Sequence, residues 1–137
     1  MAMTHEDILR FVDDLYAATG RGDFDAAAGM LTDDFFVTEA EGLPMAGVYR
    51  GRHALRDLYI KVMGMLDVAA LDRIETTAGG DYAVTVLTMR FADPALKPAE
   101  LCELFRFRDG KCCEIRPYYF DPAPLIAASE TKGAAAA

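Results

Sequence analysis

In "LCELFRFR", Leu101 to Arg108, strict alternation puts Leu101, Glu103, Phe105 and Phe107 on one face of a strand and Cys102, Leu104, Arg106 and Arg108 on the other. Glu103 is therefore a carboxyl group among phenylalanines. There it loses the water that stabilises its charge, so its pKa rises and it becomes an acid able to donate a hydrogen bond at neutral pH. Such a group can stabilise the charge that develops on a carbonyl oxygen, or protonate it. The competing reading is a strand-end carboxylate paired with a buried arginine or reaching solvent.

The company Glu103 keeps depends on the following turn, "RDGK". A two-residue turn over Asp109 and Gly110 puts Glu103 on one face with Glu114 and Arg116. A three-residue loop with Gly110 at a left-handed bulge position shifts the parity. The shifted register is the one expected, because it separates Arg106, Arg108, Glu114 and Arg116 from Glu103, Phe105, Phe107, Cys113, Ile115, Pro117 and Tyr119. In "DYAVTVLTMRF" the same alternation offers Leu87, Met89 and Phe91 to a pocket. It leaves Val84, Val86 and Leu104 as an apolar patch on the opposite face, which predicts a homodimer.

Helices must precede these strands. Thr4 and Asp7 form a capping-box pattern, and Ile8, Leu9, Val12, Leu15 and Tyr16 follow at helical spacing, predicting a helix over 5–19. Asp23 caps a second helix, "FDAAAGML", stopping near Thr32, and "FFVTEAEG" turns extended. A third helix over 52–66 is amphipathic through Leu55, Leu58, Val62 and Met65, with Leu58 and Val62 facing the pocket. The strands "LDRIETTA", "DYAVTVLTMRFAD" and the two flanking "RDGK" complete an α+β domain over 1–126. The end of the chain, 127–137, has no apolar periodicity and reads as a disordered tail.

A chain of 137 residues, 53% hydrophobic, is enough for one core. Fourteen Lys and Arg against 22 Asp and Glu give a net charge of −8, which argues against nucleic acid and anionic membrane partners. No apolar run approaches the ~20 residues of a membrane span. The acidic opening "MAMTHEDILRFVDD" lacks the basic-then-apolar form of a secretory signal, so a cytoplasmic location is expected. Cys102, Cys112 and Cys113 lack metal-site spacing and read as small buried hydrophobes, and no metal or organic cofactor is implied.

The segments "RGDFDAAAGMLTDDFFVTEAEG", "YRGRHALRDLY" and "LFRFRDGKCCEIRPYYFD", in that order, resemble the nuclear transport factor 2-like superfamily, which includes SnoaL-like and ketosteroid isomerase-like domains. The resemblance implies a cone-shaped barrel of curved antiparallel sheet packed against three N-terminal helices. Against the steroid isomerase pattern, Glu39 takes the place of the general-base aspartate and Glu103 that of a protonated aspartic acid. Glu41 shares the face of Glu39 and is the alternative base. Tyr16 lies near the oxyanion-hole tyrosine, although Leu15 fits the spacing from "GD" better. Both carboxyls are Glu rather than Asp, one methylene longer, which disfavours a steroid substrate.

The ending "RPYYFD" also resembles limonene-type epoxide hydrolases, but Tyr118 stands where their aspartate is expected, and Leu101 breaks the Arg-x-Asp pair. The resemblance implies a cofactor-independent isomerase or lyase, including polyketide cyclase types. It would bind a small, mostly apolar carbonyl compound among Phe105, Phe107, Leu87, Met89, Phe91, Tyr119, Leu58 and Val62. Glu39 would abstract a proton, while Glu103 with Tyr16 or Tyr119 would stabilise the enolate. A non-catalytic ligand-binding or dimerisation module and a cofactor-free hydrolase are the alternatives.

Overall fold

The computed structural model describes residues 3–136. Helix α1 (His5–Gly20) begins on the expected capping box: Asp7 N–H donates to the Thr4 hydroxyl and Thr4 N–H to the Asp7 carboxylate. It buries Ile8, Val12, Leu15 and Ala18 at helical spacing. Asp23 caps α2 (Phe24–Gly29) by accepting from Ala26 N–H at 3.0 Å. This helix ends before the expected Thr32, because Cys112 N–H donates to the Met30 carbonyl and Leu31 pairs with Cys112. Sheet pairing thus takes residues that local propensity would leave helical.

Strand β1 (Leu31–Glu39) runs into a short edge strand, β2 (Gly47–Arg50), absent from the sequence reading. Helix α3 (Ala54–Met65) follows, then the meander β3 (Val68–Gly79), β4 (Tyr82–Phe91), β5 (Ala99–Arg108) and β6 (Lys111–Tyr119). One unclosed six-stranded sheet has the order β2-β1-β6-β5-β4-β3, antiparallel except where β1 meets β6. The α+β architecture matches the expectation, with strand β2 and a fourth helix added. Where a disordered tail was expected over 127–137, helix α4 (Ala123–Ala136) folds back, burying Leu125 and Ala128 beside Leu66, Leu87 and Leu101. None of the described helices is long and apolar enough to cross a membrane.

The β5–β6 register needs one correction. The turn has two residues, Asp109 and Gly110 with φ of 54° and 77°, the mirror-image geometry that suits twisted strands. The parity shift comes from a bulge inside β6, since Arg106 pairs with Glu114 but Phe107 with Cys112. Cys113 is the extra residue, with its thiol donating to the Arg106 carbonyl, so Cys112 rather than Cys113 joins Phe107 in the interior. The other faces are as expected. Outside, Glu114 bridges Arg106 at 3.0 Å and Arg116 at 2.6 Å.

Beneath the sheet the core divides in two. Val12, Leu15, Phe35, Val37, Phe105 and Ile115 form one cluster, while Met45, Leu66, Leu87, Met89, Leu101 and Leu125 belong to the other. Tyr16 and Leu58 pack against both.

Candidate active site

One cross-strand level lies between the two clusters, and it is polar. Thr76, Thr85, Glu103 and Pro117 are successive partners across β3, β4, β5 and β6. The offset that pairs Val37 with Ile115 brings Glu39 level with Pro117. The row on one side is Ala83, Phe105, Ile115 and Val37; the row on the other is Leu87, Leu101 and Tyr119. Two glutamates from strands that flank β6 are thus brought together between apolar floors. Pro117, separating them, has no N–H with which to bond either.

Helix α1 completes the level. The Tyr16 phenol donates to Glu103 Oε1 at 2.5 Å and stands edge-on to Phe105, with ring centroids 5.7 Å apart. Leu15, the residue favoured by spacing, is instead core. The Arg73 guanidinium lies 4.8 Å from the Tyr16 ring centroid and is tied to Asp13 at 2.9 Å. A bulge between Arg73 and Glu75 lets Arg73 and Thr76, three residues apart, occupy the same face. The Thr76 and Thr85 hydroxyls are 2.9 Å apart, and Thr85 pairs directly with Glu103 across the strands.

The two carboxyls differ in their partners. Glu39 is 3% exposed and its Oε1 has no hydrogen-bond partner among the described residues. Burial, reinforced by the charge of Glu103, pushes its carboxyl up to about 8. Burial also raises Glu103, but the Tyr16 phenol opposes the rise. The Tyr16 phenol is itself raised, first by burial and then by the charge of Glu103. Tyr119 is raised by burial and then by both carboxylates, which act on it through charge alone.

Of the expected pocket residues, Leu87, Met89 and Phe91 belong to the outer apolar cluster, with Leu58, Val62 and Tyr119 packed against it. Phe105 floors the carboxyl level. Phe107 does not join them: it packs edge-on to Phe11 at 5.2 Å, at the hairpin end of β5, deep in the other cluster. Glu41 is exposed. Thr85 was readable as the next inward residue before Leu87. Arg73 was not, because no residue pattern announces the bulge that aims it. Among the described residues no group of three or more His, Cys, Asp and Glu is arranged to hold a metal ion.

The model of the SnoaL-like domain family matches residues 12–115, which spans the floor of this site and most of the chain. Similar solved structures include an NTF2-like protein from Burkholderia xenovorans, 26% identical, with 93% of this chain and 98% of that one covered and a TM-score of 0.78. A Sinorhizobium meliloti protein proposed as a polyketide cyclase is 18% identical over 80% and 94% of the two chains, with a TM-score of 0.66. The protein TerC, crystallised with polyporic acid, is 17% identical over 90% and 98%, with a TM-score of 0.78. No curated protein matches significantly.

Proposed function

The chain belongs to the SnoaL-like domain family, and from that premise we propose that it is a cofactor-independent enzyme of isomerase or cyclase type, moving a proton on a small, mostly apolar carbonyl compound. The observation that carries this reading is the placement of the buried Glu39 and the half-buried Glu103 on one level; among the described residues Glu103 is bonded only by a phenol, and Glu39 has an orphaned oxygen. Structural carboxylates are held by cations or backbone N–H groups, whereas perturbed, unpaired carboxyls are the equipment of acid–base chemistry.

The chemistry is enolisation. One carboxylate removes the proton next to the carbonyl, the electron pair moves to oxygen, and an acid protonates or hydrogen-bonds that oxygen. Tyr119, whose phenol feels the charge of both carboxyls, supplies a further donor. Leu87, Met89, Phe91, Leu58 and Val62 offer apolar contact to the rest of the substrate. Isomerisation, dehydration and intramolecular aldol closure share this enol. The crystallisation of TerC with polyporic acid and the cyclase proposal for the Sinorhizobium protein support a small organic ligand within this fold.

The test needs no knowledge of the product. Neutral ketones with activated C–H bonds are incubated in deuterated water and followed by proton NMR. Wild-type protein is expected to accelerate exchange at the activated carbon, and a Glu39→Gln, Glu103→Gln double variant to lose ~10²-fold or more of that rate. Ketones that bind without accelerated exchange would make the domain a binding module.

A further inference from the structure

Resting on that reading of the site, we propose that the unliganded carboxyl pair holds a single proton and that Glu39 carries it, making Glu103 the base and Glu39 the acid. This reverses the roles implied by the sequence resemblance. Two carboxylates on one level, enclosed by apolar clusters, do not both ionise at neutral pH, because each adds its repulsion to the other's lost hydration.

Hydrogen bonding decides which one keeps the charge. Glu103 Oε1 accepts from Tyr16 at 2.5 Å, and the bonded pair of Thr76 and Thr85 hydroxyls belongs to the same level, Thr85 being the direct cross-strand partner of Glu103. A donor aimed at a carboxylate stabilises the charged form. Glu39 Oε1 has no donor among the described residues. An ionised carboxyl there has an unsatisfied oxygen in a dry place, whereas a protonated one has no charge to solvate.

The surrounding charged and titratable groups point the same way. Arg73, from β3, stands over the ring of Tyr16, the donor to Glu103, and is shared with Asp13 of α1. Tyr119, from β6, is a neutral phenol within reach of the charge of both carboxyls. Lys61 of α3 is engaged over the Tyr49 ring. From α4, the groups packed inward are Leu125 and Ala128, both apolar. Burial raises both carboxyls; at Glu39 the charge of Glu103 adds to the rise, whereas at Glu103 the Tyr16 hydrogen bond opposes it.

The cycle then balances without a further reactant. The Glu103 carboxylate takes the proton from carbon, and the C–H electron pair becomes the enol double bond. Glu39 gives its proton to the carbonyl oxygen. In the second half Glu39 takes the enol O–H proton back, and Glu103 delivers its proton to a carbon of the enol system, restoring both groups. Tyr16 on this assignment is a positioning residue that fixes Glu103 and its charge.

Difference infrared titration of the unliganded full chain reads the proton directly, since a protonated carboxyl has a carbonyl stretch that a carboxylate lacks. Wild-type protein is expected to show such a band at neutral pH and to lose it as pH rises through about 8. Glu39→Gln should abolish the band at neutral pH. Glu103→Gln should retain it with a lower midpoint, the neighbouring charge being gone. A band that survives Glu39→Gln and vanishes in Glu103→Gln overturns the assignment, as does a pair that is fully ionised or doubly protonated at neutral pH. Tyr16→Phe keeps both carboxyls and should raise the midpoint of the lower step; unchanged midpoints would equally overturn the proposal. Because no substrate is used, a failed assignment leaves the proposed enolisation standing, and absent turnover leaves the assignment standing.

Discussion

Glu39 also has a thermodynamic signature separate from any chemistry. In the folded chain its carboxyl holds a proton up to about 8, whereas in the unfolded chain it releases it near 4.5. Between those values the native state binds the extra proton, so stability falls as pH rises from 4.5 to 8 and flattens above. At ~1.4 kcal/mol per pH step the loss reaches a few kcal/mol. Glu39→Gln removes the titration while keeping shape, so it is expected to melt several degrees above wild type at pH 8 and close to it near pH 4.5. Thermal denaturation across that range checks it, and parallel curves would show that Glu39 titrates normally in the fold. At this scale the sequence was informative about Glu103, whose apolar company follows from alternation alone. Glu39 entered only through resemblance, and its lack of a partner is a property of the assembled level that no local pattern encodes.

The elements were legible where their own periodicity was strong. Helices α1 and α3 and strands β4 to β6 have apolar residues at regular spacing, and each lies close to where that spacing puts it. The misses are elements specified by their neighbours. Strand β2 has four residues and exists because β1 offers an edge. The bulges in β3 and β6 change which side chains face inward without any glycine or proline to mark them. Helix α4 has its apolar residues in an unbroken run, Leu125 to Ala128, so no stripe identifies a buried face, although Pro122 accepts from Leu125 and Ile126 N–H at the start of its first turn. Leu125 is nonetheless 0% exposed, set among Leu66, Leu87 and Leu101 above the carboxyl level. Leu125→Ala should therefore cost ~2–5 kcal/mol in urea unfolding, the range for a leucine truncated in a packed core. A loss under ~1 kcal/mol, the size of a surface effect, would mean that α4 is not anchored there.

For the whole molecule, the question left is what covers the other face of the sheet. The fold class followed from helices preceding a meander, and the same alternation that aimed Glu103 inward left Val84 and Leu104 paired on the outside, next to Val86, Cys102 and Tyr118. Val86 is 39% and Tyr118 51% exposed, while the two apolar clusters and the buried faces of the helices lie on the opposite side. An apolar patch on an otherwise charged surface favours association, and a second copy of the chain brings an identical patch. The net charge of −8 on each copy opposes this at long range. Next to the patch, however, Glu114 is shared by Arg106 and Arg116, so the local charge is not negative. The expected homodimer should therefore tighten as salt screens the distant repulsion and leaves the apolar contact intact. Val86→Glu, a charge at the centre of the patch, should give monomers with an unchanged circular dichroism spectrum. Sedimentation equilibrium at low and high salt measures both effects, and a wild-type chain that sediments as a monomer at every concentration and salt would leave this face with no role in self-association.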